Sequence, residues 1–507
     1  MKKTIFIKNA VILTVTSFLL RFAGIIFKVW LAKEIGSEGI GLYSLIFSVY
    51  VLCSTFAMTG ISTAVTRLVA EELALGSKKG TLKILRRSIE LSLILSGVTI
   101  AIVYNCSGFI AKNLLEDARA VLALKILPFS LPFMAISSCL KGYFIARRKV
   151  SPNSFAQITE QIVRILTVLF LVKKYIHKGL DVACAAVIFG DIISEAVGFL
   201  ILLLPFFIDK KKLNSLSGRV RPPFPIFKKI LSISTPIISG RYLNSLLRTA
   251  ENILVPKKLQ EFALLKGNAL SLFGMIKGMA LPILFFPSAI LNSLSTLLIP
   301  EISEAVVLEK NYLIKNTCEK IIKITSLLSF IFASLFFVVG DKLGVLIYKS
   351  SDVGYLLKVL SPIVPLMYLD SISDGILKGL DQQKFTFRTA ISDSAIRILL
   401  IIALLPVTGL NGFIGIMYFS NLMTCGLNVG RLIKISGAKF KKTENFLLPL
   451  ISSVTISLLF NTIYSVLGIT NNLVYIILVF VSSILSYLSI LFALKIIRID
   501  ELKNFLN

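Results

Sequence analysis

Charged side chains are scarce in this sequence: they make up 16% of its 507 residues, whereas 55% are hydrophobic. A soluble protein of this length needs roughly a quarter of its residues charged to cover its surface. The deficit excludes a cytosolic globular enzyme, in agreement with a mean hydropathy of +0.85. Nearly uncharged runs of about 20 residues, the length that crosses a bilayer, recur along the chain. The sequence therefore predicts an all-α polytopic membrane protein.

Histidine and metal-binding cysteine spacings are also lacking. His177 is the only histidine, and no two of the six cysteines form a CxxC pair. Most of the cysteines fall inside apolar segments, where a free cysteine behaves as a small hydrophobic residue. We therefore expect structural cysteines and no metal site. The six are Cys53, Cys106, Cys139, Cys184, Cys318 and Cys425.

The motifs of soluble enzymes are missing as well. The chain contains no GxxxxGK[ST], GxSxG or HExxH sequence, so ATP hydrolysis and the common hydrolase chemistries are not supported. We expect no catalytic residues and no cofactor. The apolar run after Lys2 and Lys3 continues past Arg21 without a small-residue cleavage site, which indicates a first transmembrane helix that is not removed.

Apolar segments predict about fourteen transmembrane helices: two six-helix repeats followed by two C-terminal helices. The predicted spans are 5–31, 40–60, 88–110, 119–146, 154–173, 181–208, 230–255, 268–299, 321–347, 355–380, 386–408, 411–434, 446–468 and 472–495.

Positive charge predicts the orientation. Lys and Arg number 55 against 27 Asp and Glu, a net charge of +28. With both termini placed in the cytoplasm, the cytoplasmic loops and ends carry 34 Lys and Arg and the opposite loops carry 12. This bias is the positive-inside pattern, so we expect a multi-pass protein of the cytoplasmic membrane that meets membrane lipids and no nucleic acid.

Charged positions repeat between the two halves of the chain. Arg21 precedes Lys28 by seven residues, as Arg241 precedes Arg248, and other charged and small residues recur on corresponding spans. Matches in the same order predict two lobes related by a parallel pseudo-twofold axis. The predicted divisions are an N-terminal lobe 1–208, a basic cytoplasmic linker 209–229, a C-terminal lobe 230–434, and the last two helices with the tail, 435–507.

The predicted spans contain an unusually large number of Lys and Arg side chains. A charge at bilayer depth costs at least about 2.5–3.5 kcal/mol, so such groups face water or a partner. Few acids accompany these cations on their helices, and the repeat brings spans 1 and 7 to the central axis. We therefore predict a cationic cavity; snorkelling is the alternative, chiefly for Lys28. Its predicted substrate-binding residues are Arg21, Lys28, Arg241, Arg248 and Lys277.

Acidic residues inside the spans fall into two groups. Glu160 with Arg164, and Asp393 with Arg397, are spaced four residues apart, as in helical ion pairs. Such ion pairs either stabilise the helices or take part in transport. The remaining acids offset the cations or bind a coupling ion such as Na⁺ or H⁺, and the membrane potential is a further possible energy source. These possible coupling acids are Asp191, Glu195, Glu251, Asp370 and Asp374.

Two segments resemble a known family. The stretch from Lys8 to Ile46 reads KNAVILTVTSFLLRFAGIIFKVWLAKEIGSEGIGLYSLI, and residues 298–305 read LIPEISEA. Together with the fourteen predicted spans, they resemble the sporulation members of the multidrug/oligosaccharidyl-lipid/polysaccharide exporter superfamily, to which the lipid II flippases belong. The resemblance covers essentially the whole chain.

The resemblance implies two six-helix lobes that rock between inward- and outward-open states, and a role in spore cortex peptidoglycan synthesis. It places Arg21 and Gly24 on a motif of the flippases' first helix. It also places Lys277, five residues before Pro282, on a cavity arginine of their eighth helix. The chain has Phe27 and Lys28 where the lipid II flippases have Arg-Asp, so the substrate stays open.

These inferences favour a flippase for an undecaprenyl-diphosphate-linked glycan precursor. A cationic cavity suits the anionic headgroup of a lipid-linked oligosaccharide or lipid II-like substrate, and peptidoglycan synthesis proteins are possible partners. A cation-coupled multidrug exporter of the same fold would favour an acidic cavity. A membrane-embedded transferase would need acidic metal-binding loops, and a non-transporting sporulation scaffold is the remaining alternative.

Overall fold

The computed structural model describes residues 2–58, 60–212, 226–262, 268–288, 308–441, 443–469 and 471–493, with a few single residues between 291 and 306. These parts of the chain are helical and contain no strand. The all-helical membrane fold is therefore as predicted. The central part of the basic linker, the LIPEISEA segment except Ile302 and Ala305, and the C-terminal tail lie outside the described residues.

The chain forms two compact units, Met1–Gly274 and Met275–Asn507. Nine α-helices can be assigned in the described residues of the first unit. They are α1 Lys2–Met58, α2 Ile61–Ala74, α3 Lys78–Phe109, α4 Ala120–Ile126, α5 Leu131–Ala146, α6 Ser151–Tyr175, α7 Leu180–Lys212, α8 Ile226–Glu261 and α9 Ala269–Phe273.

The described residues of the second unit supply seven further helices, preceded by a π-helical segment, Gly274–Ala280, which begins at the last residue of the first unit. They are α10 Leu281–Phe285, α11 Asn311–Tyr348, α12 Ser351–Leu360, α13 Val364–Gly379, α14 Gln383–Ser436, α15 Leu448–Val466 and α16 Asn472–Ala493.

Glycines break the two longest helices. Gly36 in α1 has φ 70° and ψ 179°, and Gly409 in α14 has φ 57° and ψ −132°. An L side chain rarely adopts these values, so each glycine permits a sharp break where one span ends and the next begins. Helices of 57 and 54 residues would otherwise be far longer than a bilayer core of about 30 Å. Both breaks fall between spans that the sequence separates.

The first unit is built around α2, α5 and α7. Buried residues such as Val65, Leu140, Phe144 and Leu202 form one apolar cluster, to which Ile230 of α8 also belongs. Helices α6 and α7 pack along each other, and α8 packs on α1 and α2. In the second unit α11 packs against α12, α13, α15 and α16, while α13 packs against α14. The apolar pair α15 and α16 is therefore anchored on α11.

Ion pairs hold α8 to the first unit at both ends. Near its start, Lys229 Nζ lies 3.0 Å from Glu71 Oε2 of α2. Near its end, Lys257 Nζ lies 2.5 Å from Glu116 Oε1, in the segment after α3. By its contacts α8 thus belongs with the N-terminal helices, whereas the repeat assigns its span to the C-terminal lobe. The boundaries of the two six-helix lobes therefore remain a prediction that rests on the sequence repeat.

Ten helical stretches in the described residues are long and apolar enough to cross a membrane. Two of them contain the glycine breaks and each covers two predicted spans. Helix α8 is not among the ten, and the stretch Ala269–Phe285 is apolar but shorter. The chain is therefore a multi-pass membrane protein, and the count of fourteen stays a prediction.

Cysteine labelling tests the predicted topology. Lys211 lies at the end of α7, and Asn471 lies between α15 and α16. In a background without the six native cysteines, Lys211→Cys should react with a membrane-impermeant maleimide only from the cytoplasmic side, because the basic linker is predicted to be inside. Asn471→Cys should react only from the outside.

The cysteine-free protein is the control for background labelling. Labelling of both single-cysteine variants from one side would contradict the predicted spans between them.

Candidate functional site

Two predicted binding cations lie on the first half of α1. Arg21 and Lys28 are seven residues apart, about two helical turns, and both side chains are exposed on the first unit. Among the residues that the structure describes, neither has an acid at ion-pair distance. Apolar neighbours on the same helix, Phe22 and Ile26, are also exposed. The helix therefore presents positive charge on a largely apolar surface.

Helix α8 carries two more cations in the same unit. Arg241 and Arg248 are exposed, and Arg248 Nε donates to Asn244 Oδ1 at 3.0 Å. Arg241 has no acid at ion-pair distance within the described chain. Such cations are costly at bilayer depth unless water or an anion meets them.

Polar contacts set the rotation of α8 against the second half of α1. Thr249 Oγ1 donates to the Ser48 carbonyl oxygen at 3.1 Å, and Asn252 Nδ2 donates to Ser48 Oγ at 2.9 Å. Glu251, a possible coupling acid, is buried with 3% exposure. Arg248 precedes Asn252 by four residues, about one helical turn, so this arginine lies close to the contact with α1.

Lys277 belongs to the second unit. It lies half-buried in the π-helical segment Gly274–Ala280, directly before α10. π-Helical segments are rare and occur often at functional sites. The structure thus places four of the five predicted cations on α1 and α8 of one unit, and the fifth on a separate irregular helix.

A cluster of charged residues joins α6 and α7 inside the first unit. Arg164 Nε lies 2.9 Å from Asp191 Oδ1, and Arg164 Nη2 lies 3.1 Å from Glu160 Oε1 and 3.5 Å from Glu195 Oε1. Lys141 of α5 approaches the same Glu160, with 3.6 Å between Nζ and Oε2. We call these five residues the Arg164 cluster.

Two glycines of α7 allow this cluster to form. A Cβ atom on Gly198 would lie 3.1 Å from Glu160 Oε2, and one on Gly190 would lie 2.5 Å from Val168 Cγ2. Each contact is closer than ordinary van der Waals separation, so larger residues would push α6 and α7 apart. The glycines therefore keep Glu160 and Arg164 within reach of the α7 acids.

The acids of the second unit have partners of a different kind. Arg397 Nε lies 3.3 Å from Asp393 Oδ2, and Ser420 Oγ donates to Asp393 Oδ1 at 2.6 Å. Asn428 Nδ2 donates to Asp370 Oδ1 at 2.8 Å. Asp374 pairs with Lys378 of its own helix at 2.5 Å. Neutral hydroxyl and amide donors thus take part where the first unit uses Arg164.

Both predicted i,i+4 ion pairs are formed, and the structure adds partners to each. The sequence left open whether Asp191 and Glu195 offset the predicted binding cations. They instead meet Arg164, which neighbours them only through the packing of α6 on α7. The described residues contain no group of three or more metal-ligating side chains, and their six cysteines are free.

Sequence reasoning missed another buried acid, Asp209. Asp209 at the end of α7 accepts hydrogen bonds from Tyr143 Oη at 2.7 Å and Arg147 Nε at 2.8 Å. Lys149 also pairs with it. Two features of the sequence could have indicated this contact. Asp209 directly precedes Lys210, and a run of basic residues begins at Arg147, directly after α5. This contact ties the end of α5 to the end of α7 beside the basic linker.

Comparisons with known proteins agree with this architecture. Residues 6–306 match the family described as polysaccharide biosynthesis protein. Stage V sporulation protein B of Bacillus subtilis (strain 168) is 29% identical over 387 residues, which cover 75% of this chain and 74% of that protein. Lipid II flippase MurJ of the same organism is 21% identical over 438 residues, 80% of this chain and 79% of that protein.

A solved structure shares the fold over nearly the whole length. Lipid II flippase MurJ in an inward closed conformation has a TM-score of 0.72 and 17% identity, covering 96% of this chain and 99% of that chain. At this identity the likeness concerns the fold alone.

Removing Arg164 tests how strongly the cluster depends on it. Arg164→Met leaves three buried or half-buried carboxylates without their shared cation, so we expect a loss of stability on the order of 3–5 kcal/mol. The measurement is thermal unfolding of the purified protein in detergent, together with its abundance in membranes.

The matched variant is Arg397→Met, which leaves Asp393 with the Ser420 hydroxyl as a donor. It should lose less stability. An equal or larger loss for Arg397→Met would contradict the central position of Arg164.

Proposed function

Because the chain belongs to the polysaccharide biosynthesis protein family, we propose that it is a flippase that moves an undecaprenyl-diphosphate-linked glycan precursor across the cytoplasmic membrane by alternating access. Its relatives include a protein named as a lipid II flippase, and its fold matches a solved flippase of that name. The chain is a transporter of this type and not an enzyme.

The proposal rests on the exposed cations of the first unit. Arg21 and Lys28 on α1, and Arg241 and Arg248 on α8, lie on apolar membrane helices. A diphosphate supplies the missing negative charge, and arginine can bind two phosphate oxygens at once. We assign substrate binding to these four residues and to Lys277. A cationic drug would be repelled by the same groups, which disfavours multidrug export.

Helices α15 and α16 offer an uncharged surface that the lipid tail of the substrate could border. Residues 445–494 contain no charged side chain, and both helices expose large apolar residues such as Leu459, Val481 and Leu485. A polyprenyl tail stays in hydrocarbon throughout transport, so an uncharged surface is compatible with it. No covalent chemistry is needed.

We place this activity in the synthesis of spore cortex peptidoglycan. Stage V sporulation protein B and sporulation protein YkvU, both of Bacillus subtilis (strain 168), match 75% and 70% of the chain. Peptidoglycan synthesis proteins would then supply and consume the lipid-linked precursor. Both termini would lie in the cytoplasm, in keeping with the distribution of Lys and Arg.

Alanine substitutions test the cationic site. In liposomes that contain a fluorescent undecaprenyl-diphosphate glycan, Arg21→Ala, Arg241→Ala or Lys277→Ala should each lower the initial flipping rate about 10- to 100-fold, because each loses a charge-assisted hydrogen bond. Substitution by Glu should be worse, and Lys277→Arg should retain activity. The readout is the fraction of headgroups that an added quencher reaches over time.

Lys173→Ala is the control, because this cation is exposed, lies in the last turn of α6 and is not among the predicted binding residues. Unchanged flipping in the three Ala variants would contradict the proposed site. Wild-type transport of a cationic dye without glycan flipping would instead support a drug exporter.

A further inference from the structure

The first turns of α3 form a strongly basic surface. Five of the first ten residues of this helix are Lys or Arg, and none of the ten is acidic. Four of the five side chains are exposed. We call these four residues the α3 basic face; they are Lys79, Lys83, Arg86 and Arg87.

The helix supplies one acid to this face. Glu90 lies 2.9 Å from Arg86 Nε and 2.7 Å from Arg87 Nη1, so a single carboxylate serves two arginines. Within the described chain, no acid lies at ion-pair distance from Lys79 or Lys83. The face therefore carries an excess of positive charge.

Neighbouring segments do not offset this excess. Glu71, which precedes α3, pairs with Arg67 and Lys229, and Glu72 is buried with 1% exposure. The linker residues 210–225 contain five Lys and Arg and no acid. An anion that balances the face therefore has to come from outside the chain.

The α3 basic face continues into an apolar surface. Positions 79, 83, 86, 90, 94 and 98 lie along one side of the helix, where Ile94 and Val98 are 60% and 47% exposed. The opposite side is buried and contains Ser88, Ser92 and Ser96, and α3 packs against α5. The cations thus lie about two turns from an apolar surface that faces away from the unit, as expected for groups at the headgroup level of a bilayer.

The cations are held on a fixed scaffold. Ser77 caps the start of α3, where its Oγ accepts a hydrogen bond from Gly80 N at 3.1 Å. The Arg87 guanidinium lies 5.3 Å from the ring centroid of Phe227, in the first turn of α8. Phe227 is itself 38% exposed. A preformed arrangement of this kind loses little entropy when an anion binds.

The shape and charge of the surface define the class of ligand. Like charges four residues apart on a helix repel, and a phosphate group beside them relieves the repulsion. Basic residues next to the apolar part of a membrane helix attract anionic lipids. An outward side of a single helix is not the concave site that a glycan headgroup needs. These features favour a phospholipid over the lipid-linked glycan.

We propose that the α3 basic face binds an anionic phospholipid such as phosphatidylglycerol from the cytoplasmic leaflet. The phosphate lies beside Lys79, Lys83 and Arg86, and an acyl chain follows Ile94 and Val98. The lipid also borders the contact between Arg87 and Phe227, which joins α3 to α8. This site is separate from the cations assigned to the transported substrate.

A tryptophan reporter tests the proposal. Trp30 is the only tryptophan, so the Trp30→Phe/Phe227→Trp variant of the full-length protein reports on lipids beside α3. In liposomes of phosphatidylcholine and phosphatidylglycerol, lipids with brominated acyl chains quench this tryptophan on contact. Brominated phosphatidylglycerol should quench more than its mole fraction predicts, and 1 M salt should remove most of that preference by screening the charges.

Neutral and conservative variants locate the site. In the reporter background, Lys79→Gln/Lys83→Gln should lower the affinity for phosphatidylglycerol relative to phosphatidylcholine about 10-fold, whereas Lys79→Arg/Lys83→Arg should keep it. The matched control is Lys434→Gln/Lys439→Gln, which removes two exposed cations at the end of α14 and should change nothing.

Three outcomes would overturn the proposal. The first is equal quenching by the two brominated lipids. The second is a preference that survives Lys79→Gln/Lys83→Gln or is lost equally in the control. The third is displacement of brominated phosphatidylglycerol by a few mole per cent of undecaprenyl diphosphate, since the face would then belong to the transport substrate. None of these measurements requires that the protein flips a lipid, so the proposed function is tested independently.

Discussion

The cost of an unpaired charge in hydrocarbon governs the placement of the ionisable groups on the described membrane helices. It separates the membrane charges into two classes. The Arg164 cluster binds its charges to one another between α6 and α7, where they fix the packing of two helices. Arg21, Lys28 and Arg241 remain exposed and lack acidic partners among the described residues, so their compensation has to come from water or a bound anion.

This separation connects the fold to the proposed activity. In the first unit, α8 is held at both ends by Lys229 with Glu71 and by Lys257 with Glu116. Polar contacts with Ser48 fix its middle. A helix held in this way presents its arginines at defined positions, which reduces the entropy lost when a headgroup binds. The internal cluster and the binding cations thus have different roles, one in conformation and one in recognition.

The sequence predicted features that depend on local order along the chain. Hydropathy identified a multi-pass membrane protein, and the breaks at Gly36 and Gly409 fall between spans that it separated. Spacing of four residues predicted Glu160 with Arg164, because one helix turn brings them together. It could not predict that Asp191 and Glu195 meet Arg164, since that depends on how α7 is rotated against α6. The Asp209 contacts with Tyr143 and Arg147 were missed for the same reason: the partners are more than 60 residues away.

The central claim is that the exposed cations recognise a diphosphate on a lipid. Thermal unfolding of the purified protein with undecaprenyl diphosphate or with uncharged undecaprenol measures that recognition, because a ligand that binds the folded state raises Tm. The account predicts a higher Tm with the diphosphate lipid only, and loss of this increase in an Arg21→Ala/Arg241→Ala double variant. An equal increase with undecaprenol, or an increase that survives in the double variant, would contradict it.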